Sequence, residues 1–204
     1  MLNGSSSLLF SMTDGITLGS ARAIRWAAVL FVTVLTAAAA QVSVPLPFTP
    51  VPLTLQPMVV LLGGAALGSR LGFSSQVLYL LAGLAGLPVF AASPVLPQGA
   101  LRLIGPTGGF LLAYPLAAFV AGRLAERGFD RRYLTSVAAM AAGLAIIFAS
   151  GLSWLTIQLA PAAGVQAALQ AALQAGLYPF VVVDVVKLFV AGSILPGVWK
   201  LVGR

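Results

Sequence analysis

Apolar residues run through this chain in blocks too long to be single faces of a soluble fold. Six stand out: Trp26 to Ala40, Pro57 to Leu67, Phe73 to Ala92, a block opening at Gly105-Pro-Thr-Gly-Gly-Phe110 and reaching about Gly122, Thr135 to about Ile157, and Gly176 to about Val198. A helix that crosses a bilayer needs roughly 20 predominantly apolar residues. The pattern therefore predicts an all-α polytopic membrane protein with six transmembrane helices. Residues 1–21, rich in Ser, Gly and Thr, read as a flexible N-terminal tail, and 22–204 as a single transmembrane domain. Arg22 and Arg25 before an apolar run ending in Ala37–Ala40 also fit a secretory signal peptide. The membranous character of the chain beyond favours a first span.

The connections between blocks carry their own signals. Gln41 to Gln56 holds Pro45, Pro47, Pro50 and Pro52, and Ser93 to Ile104 holds Pro94, Pro97, Gln98, Gly99 and Arg102. Proline at such spacing removes N–H donors and forbids regular helix. Irregular apolar backbone is tolerated at membrane depth only where protein or a cavity shelters it. The first of these segments reads either as an ordinary extended loop or as a lid tucked over a pocket, and its apolar side chains favour the lid. Ala162 to Ala175 reads as a short helix with a polar stripe, Gln166, Gln170 and Gln174. Gly83 and Gly86 read as points of close helix packing, with Pro88 ending the helix.

Composition narrows the chemistry. The 204 residues are 60% hydrophobic and 7% charged, against about a quarter charged in a soluble domain. Cysteine and histidine are both absent, which excludes disulfides, thiolate or imidazole metal sites and Ser-His-Asp triads. The acids are Asp14, Glu126, Asp130 and Asp184, too few for carboxylate metal or acid–base sites. The chain reads as no enzyme, with no cofactor and no metal. Its net charge of +7 bounds apolar spans in loops, so it signals topology rather than nucleic acid. With six spans, Arg22, Arg25, Arg70, Arg123, Arg127, Arg131, Arg132, Lys200 and Arg204 fall on one side and Arg102 on the other. The positive-inside rule then predicts both termini in the cytoplasm and both proline-rich loops outside.

One block departs from the apolar pattern. Asp184 and Lys187 lie near the middle of the last one, three apart and so on one helical face. An unpaired charge at a bilayer centre costs roughly 2.5–3.5 kcal/mol, so the pair points to a polar site within the bundle. It also fits a purely structural pairing. Gly105-Pro-Thr-Gly-Gly109 lacks the Gly-Lys-Ser/Thr ending of a phosphate loop, but a helix start with small residues such as Gly108 can seat a polar or anionic group.

Pro50-Val-Pro-Leu-Thr-Leu-Gln56, Tyr79 to Phe90, Gly105 to Gly109 and Asp184-Val-Val-Lys187, in this order and spacing, resemble the BioY family. This is the biotin-binding membrane subunit (S component) of energy-coupling factor transporters. The resemblance spans about residues 22 to 195. It implies six membrane helices in the cytoplasmic (inner) membrane of a prokaryote, high-affinity biotin binding from the outer face, and uptake with a membrane T subunit and two ATPases, partners that some members dispense with. Biotin suits the residues. Asp184 can accept its ureido N–H bonds, Lys187 can donate to the ureido oxygen or the carboxylate, and Arg102 can hold the carboxylate. Gln56 and Thr107, beside the loops, are further candidates. Tyr79 and Tyr178 are candidates that also fit packing, as do Phe90, Phe110 and Tyr114. Where family members often have glycine before the aspartate this chain has Val183, which is expected to narrow the pocket slightly. Ala23 and Ala27 can seat a partner helix. A carrier of the same architecture for another vitamin, and a structural membrane protein with no solute, are the competing readings.

Overall fold

The structure, a computed structural model, describes residues 7–13, 17–93 and 96–201. Residues 1–6 and 14–16 of the expected tail, Pro94 of the second proline-rich segment and Arg204 lie outside them. A short helix α1 (Leu8–Thr13) precedes α2 (Leu18–Gln41). After the proline segment come α3 (Gln56–Leu67) and α4 (Ser69–Leu84). Two short helices, α5 (Ala100–Ile104) and α6 (Gly108–Leu112), lead into α7 (Tyr114–Ala125). A 3-10 turn at Phe129–Arg131 is followed by α8 (Tyr133–Ala163), α9 (Val165–Gly176) and α10 (Tyr178–Leu201).

The expectation of six transmembrane helices with both termini cytoplasmic is corrected here. Among the described residues four helices are long and apolar enough to cross a membrane: Gly19–Gln41, Gly108–Ala125, Tyr133–Ala163 and Tyr178–Leu201. At a rise of 1.5 Å per residue, α3 is about 18 Å long and α4 about 24 Å, against a hydrocarbon core of about 30 Å. Hydropathy misleads at α3 because an apolar residue is equally at home against lipid and against protein. Val60 and Leu61 are fully buried within the bundle. The assignment of basic residues to sides rested on six spans and falls with them.

Small residues set the packing of the centre. α7 packs on α3, α4 and α8. Its Ala117, Ala118, Ala121 and Ala125 are fully buried. A Cβ added at Gly64 would stand 2.4 Å from the Ala118 carbonyl oxygen, and one at Gly122 would stand 2.6 Å from the Gly68 carbonyl carbon. Backbones thus touch where α3, α4 and α7 cross, the close approach that small residues allow between membrane helices. Gly68, at φ +87°, turns α3 into α4, and Glu126 Oε1 accepts from Ser69 N (2.7 Å) and Ser69 Oγ (2.8 Å) to cap α4.

Polar side chains join α2 to α4. Thr33 Oγ1 donates to the Ser75 carbonyl at 2.9 Å and Gln76 Nε2 to Thr36 Oγ1 at 3.3 Å. Gly83 serves a different purpose from the expected helix contact. A Cβ there would stand 2.1 Å from Phe90 Cζ, so its missing side chain is the seat of a fully buried Phe90. Gly86, at φ +89° with open space around it, lies just beyond the end of α4.

The first proline-rich segment folds back on itself. Strands β1 (Ser43–Val44) and β2 (Leu53–Thr54) pair antiparallel, Ser43 opposite Thr54 and Val44 opposite Leu53. Thr49 Oγ1 donates to the Ala175 carbonyl at 2.6 Å, so the loop tip rests on the end of α9. That helix packs on α8 with Ala168 and Ala172 buried, and Gln166, Gln170 and Gln174 are exposed as the stripe predicted.

Candidate functional site

Beneath this loop lies a small cavity of about 60 Å³, open at its mouth. Residues 51–54 of the loop form one wall. The others come from the start of α3, Ala91, α5, the α6–α7 pair, α8, Gly176 and α10. Each wall has a local cause. On α10 the buried positions Phe180, Asp184, Leu188, Ala191, Leu195 and Trp199 recur at three- and four-residue steps, the stripe of a helix packed on one face. Asp184 sits on that stripe, 6% exposed. Phe110 and Tyr114, four apart on consecutive helical turns, both line the cavity. Gly151 of α8 leaves room for Phe110, since a Cβ there would come within 2.2 Å of its ring.

The turn that presents Thr107 is pinned by α8. Trp154 Nε1 donates to the Gly105 carbonyl at 2.9 Å, Gln158 Nε2 to the Ile104 carbonyl at 2.7 Å and Ser150 Oγ to the Gly109 carbonyl at 2.8 Å. Gly108 does not line the cavity. A Cβ on it would overlap the Leu103 carbonyl, so it is glycine to let the turn close. Thr107 does line the cavity, and its Oγ1 is buried with no hydrogen-bond partner.

Lys187 and Asp184 are paired as their spacing suggested, Nζ to Oδ1 at 2.8 Å. Lys187 also donates to the Thr54 carbonyl at 2.6 Å and is not among the lining residues. It fastens β2 to α10 and neutralises Asp184, while Asp184 faces the cavity. Val183 is on the exposed side of α10 and does not line the cavity, so it does not narrow the pocket. Tyr178 is 60% exposed and lies away from the cavity. Two residues on, Phe180 is buried and takes the place in the wall.

Arg102 is 2% exposed and lines the cavity. It donates through Nη2 to the Ala91 carbonyl and through Nη1 to the Pro97 carbonyl at 3.4 Å. Burial pushes the pKa of its guanidinium down from the usual value, while the hydroxyls of Tyr79 and Tyr114 work in the opposite direction. An arginine side chain nevertheless stays charged at neutral pH. Among the described residues the ion pairs are Arg123–Glu126 and Lys187–Asp184, so Arg102 has no carboxylate counter-ion. The cavity therefore carries one net positive charge.

Gln56 lines the cavity at the start of α3, and its Nε2 donates to Tyr79 Oη at 2.6 Å. Tyr79 is fully buried behind it and outside the lining. Its hydroxyl donates to the Val89 carbonyl at 3.1 Å, and its ring meets Phe90 edge-on at 5.6 Å. The carbonyls of residues 88–92 are all held by side chains: Pro88 and Phe90 by Gln41, Val89 by Tyr79, Ala91 by Arg102 and Ala92 by Ser43. Sequence reasoning missed this strap, and it missed the Thr54 carbonyl as the partner of Lys187. Phe110 and Tyr114 were visible as an i, i+4 aromatic pair, but the same spacing fits packing.

The chain matches the BioY family over residues 10–204. It is 42% identical over 153 residues to a protein of Pyrococcus horikoshii described as a probable biotin transporter BioY, covering 75% of this chain and 82% of that one. It is 38% identical over 156 residues to the biotin transporter BioY of Thermotoga maritima, covering 76% of this chain and 85% of that one. Among solved structures it superposes on the S-component for biotin from an ECF-type ABC transporter with a TM-score of 0.76. That match has 23% identity over 91% of this chain and 95% of the other, a likeness of fold.

Proposed function

The chain belongs to the BioY family, and from that premise we propose that it binds biotin in the cavity under the 45–52 loop and supports biotin uptake as the substrate-binding subunit of an energy-coupling factor transporter. It is a multi-pass protein of the cytoplasmic membrane and a transport protein rather than an enzyme. The observation that carries the substrate is the charge balance of the site. Asp184 is neutralised by Lys187 and Arg102 is left without an acid. A buried charge is stable only when paired and hydrogen-bonded, so the complementary guest carries one anionic group. Biotin supplies a carboxylate for Arg102 and ureido N–H donors for Asp184 and Gln56. Its apolar ring and chain suit Phe110, Phe148 and Phe180 in the walls. Thr107 offers its unpaired hydroxyl to the same guest.

Energy coupling is assigned to partners, a membrane T subunit and two ATPases, because the sequence holds no Gly-Lys-Ser/Thr phosphate loop of its own. The single domain of residues 22–204 is then the whole solute-binding unit.

Equilibrium binding of labelled biotin to the purified chain in detergent tests the reading. Arg102→Met is expected to weaken biotin by about 10- to 100-fold, the worth of a charge-assisted hydrogen bond. The same variant should leave biotin methyl ester, which has no carboxylate, nearly unchanged. Asp184→Asn should weaken both ligands. Absence of biotin binding by the folded, unmodified chain overturns the assignment.

A further inference from the structure

We infer that Tyr79 is a positioning residue that sets substrate specificity, by holding the Gln56 side-chain amide in one of its two orientations. The inference rests on biotin as the guest of this cavity.

The argument starts at a backbone carbonyl. Val89 O can only accept, and it lies 3.1 Å from Tyr79 Oη. The phenol has one proton, and that proton belongs on this contact, since two acceptor oxygens facing each other without it would repel. With its proton spent, Tyr79 Oη can only accept, and the group 2.6 Å away that donates to it is the Gln56 amide. Gln56 must therefore turn its nitrogen toward Tyr79 and keep its oxygen on the other side. The orientation of an amide side chain is ordinarily read from its surroundings. Here a carbonyl two links away imposes it.

Two features hold the relay in register. Tyr79 is fully buried with its ring against Phe90 (5.6 Å) and Tyr114 (6.4 Å). The strap that carries Val89 is tied by Gln41 to the end of α2 and by Arg102 to α5. On the other side of the amide, Thr54 Oγ1 meets Gln56 Oε1 at 3.4 Å, and both residues line the cavity. Gln56 thus presents an acceptor to the guest, as Asp184 does. A site with two fixed acceptors takes a ligand bearing N–H donors and rejects one with oxygen at the same place, because a buried acceptor facing an acceptor is left unpaired. Without the Tyr79 hydroxyl the amide can rotate by half a turn and donate instead, and that discrimination is lost.

The test uses biotin and its two cyclic-carbamate analogues, in each of which one ureido N–H is replaced by ring oxygen. Dissociation constants are measured for the whole chain in detergent. The unmodified protein's affinity for biotin tests the functional reading by itself. The relay is tested by the ratio of analogue to biotin affinity. Tyr79→Phe is expected to reduce the penalty against one carbamate by about tenfold or more and to leave the penalty against the other, whose oxygen meets Asp184, unchanged. A uniform loss of affinity for all three ligands, with both ratios kept, makes Tyr79 a structural residue and overturns the inference. If Tyr79→Phe does not fold, Gln56→Leu decides. Collapse of the penalty against one carbamate supports the amide as a fixed acceptor, and both penalties intact overturn it.

Discussion

At the scale of single residues, several buried polar groups meet a partner far along the sequence, among them Thr33, Gln76, Arg102 and Asp130. Asp130 is the sharpest case outside the cavity. It is 1% exposed, takes Trp199 Nε1 on Oδ2 at 2.7 Å, and has no partner on Oδ1. Burial raises its pKa above the ordinary carboxylate value, with the Trp199 bond, a backbone bond and Arg131 working against the rise. The folded state therefore favours the protonated form. Its contribution to stability is complete below the ordinary carboxylate pKa and is lost as the pH rises through the raised value. Asp130→Asn keeps an acceptor for Trp199 and removes the titration, so melting in detergent across acid to neutral pH should vary less than in the unmodified protein. Asp130→Leu orphans the indole N–H and should cost about 1–3 kcal/mol; a melting point equal to that of the unmodified chain would show that the bond carries no stability. Gly151→Ala makes a residue-scale prediction for the site. The new methyl displaces Phe110 from the cavity wall, and weaker biotin binding with little change in the folded fraction is expected by calorimetry.

At the scale of elements, the proline loop is joined to the rest by few polar contacts. Its tip is fastened to α9 by the Thr49 hydroxyl, and its second strand to α10 through Lys187 and the Thr54 carbonyl. Its apolar side chains also hold it, since Val51 belongs to the core and Leu46 and Leu53 pack against that core. Thr49→Val removes one of the polar bonds, of net worth about 0.5–1.5 kcal/mol, and should speed the release of bound biotin by about 2- to 10-fold in a pulse–chase measurement. Release at the unmodified rate would mean that substrate leaves by another route. Lys187 has a second consequence at this scale. Because it bridges loop and helix rather than facing the cavity, Lys187→Met leaves Asp184 without its cation and β2 without its anchor.

At the scale of the whole molecule, the four long apolar helices among the described residues and the shorter α3 and α4 make a membrane body with buried polar groups at the cavity, between α2 and α4, and at the Asp130–Trp199 contact. If coupling comes from partners as proposed, the chain alone in lipid vesicles should bind biotin yet fail to accumulate it when ATP is supplied. Adding the T subunit and the ATPases should produce accumulation. ATP-driven accumulation by the chain alone would overturn the assignment of coupling to partners.

The sequence alone determined the properties that depend on neighbours along the chain. Hydropathy marked a membrane protein, proline spacing marked the irregular loop over the cavity, and a three-residue step placed Asp184 and Lys187 on one helical face, where they are paired. The missing histidine and cysteine excluded whole classes of chemistry. Tertiary structure decided what depends on residues brought together from far apart. Lys187 meets a carbonyl 133 positions away and Trp199 an acid 69 positions away, and no periodicity announces such contacts. It also decided the number of long spans, because hydropathy measures dislike of water and is blind to whether lipid or protein replaces it. Arg102 stood out in the sequence as a lone charge in a loop and a candidate for a ligand carboxylate, but only folding showed it buried beside the cavity with no acid paired to it among the described residues.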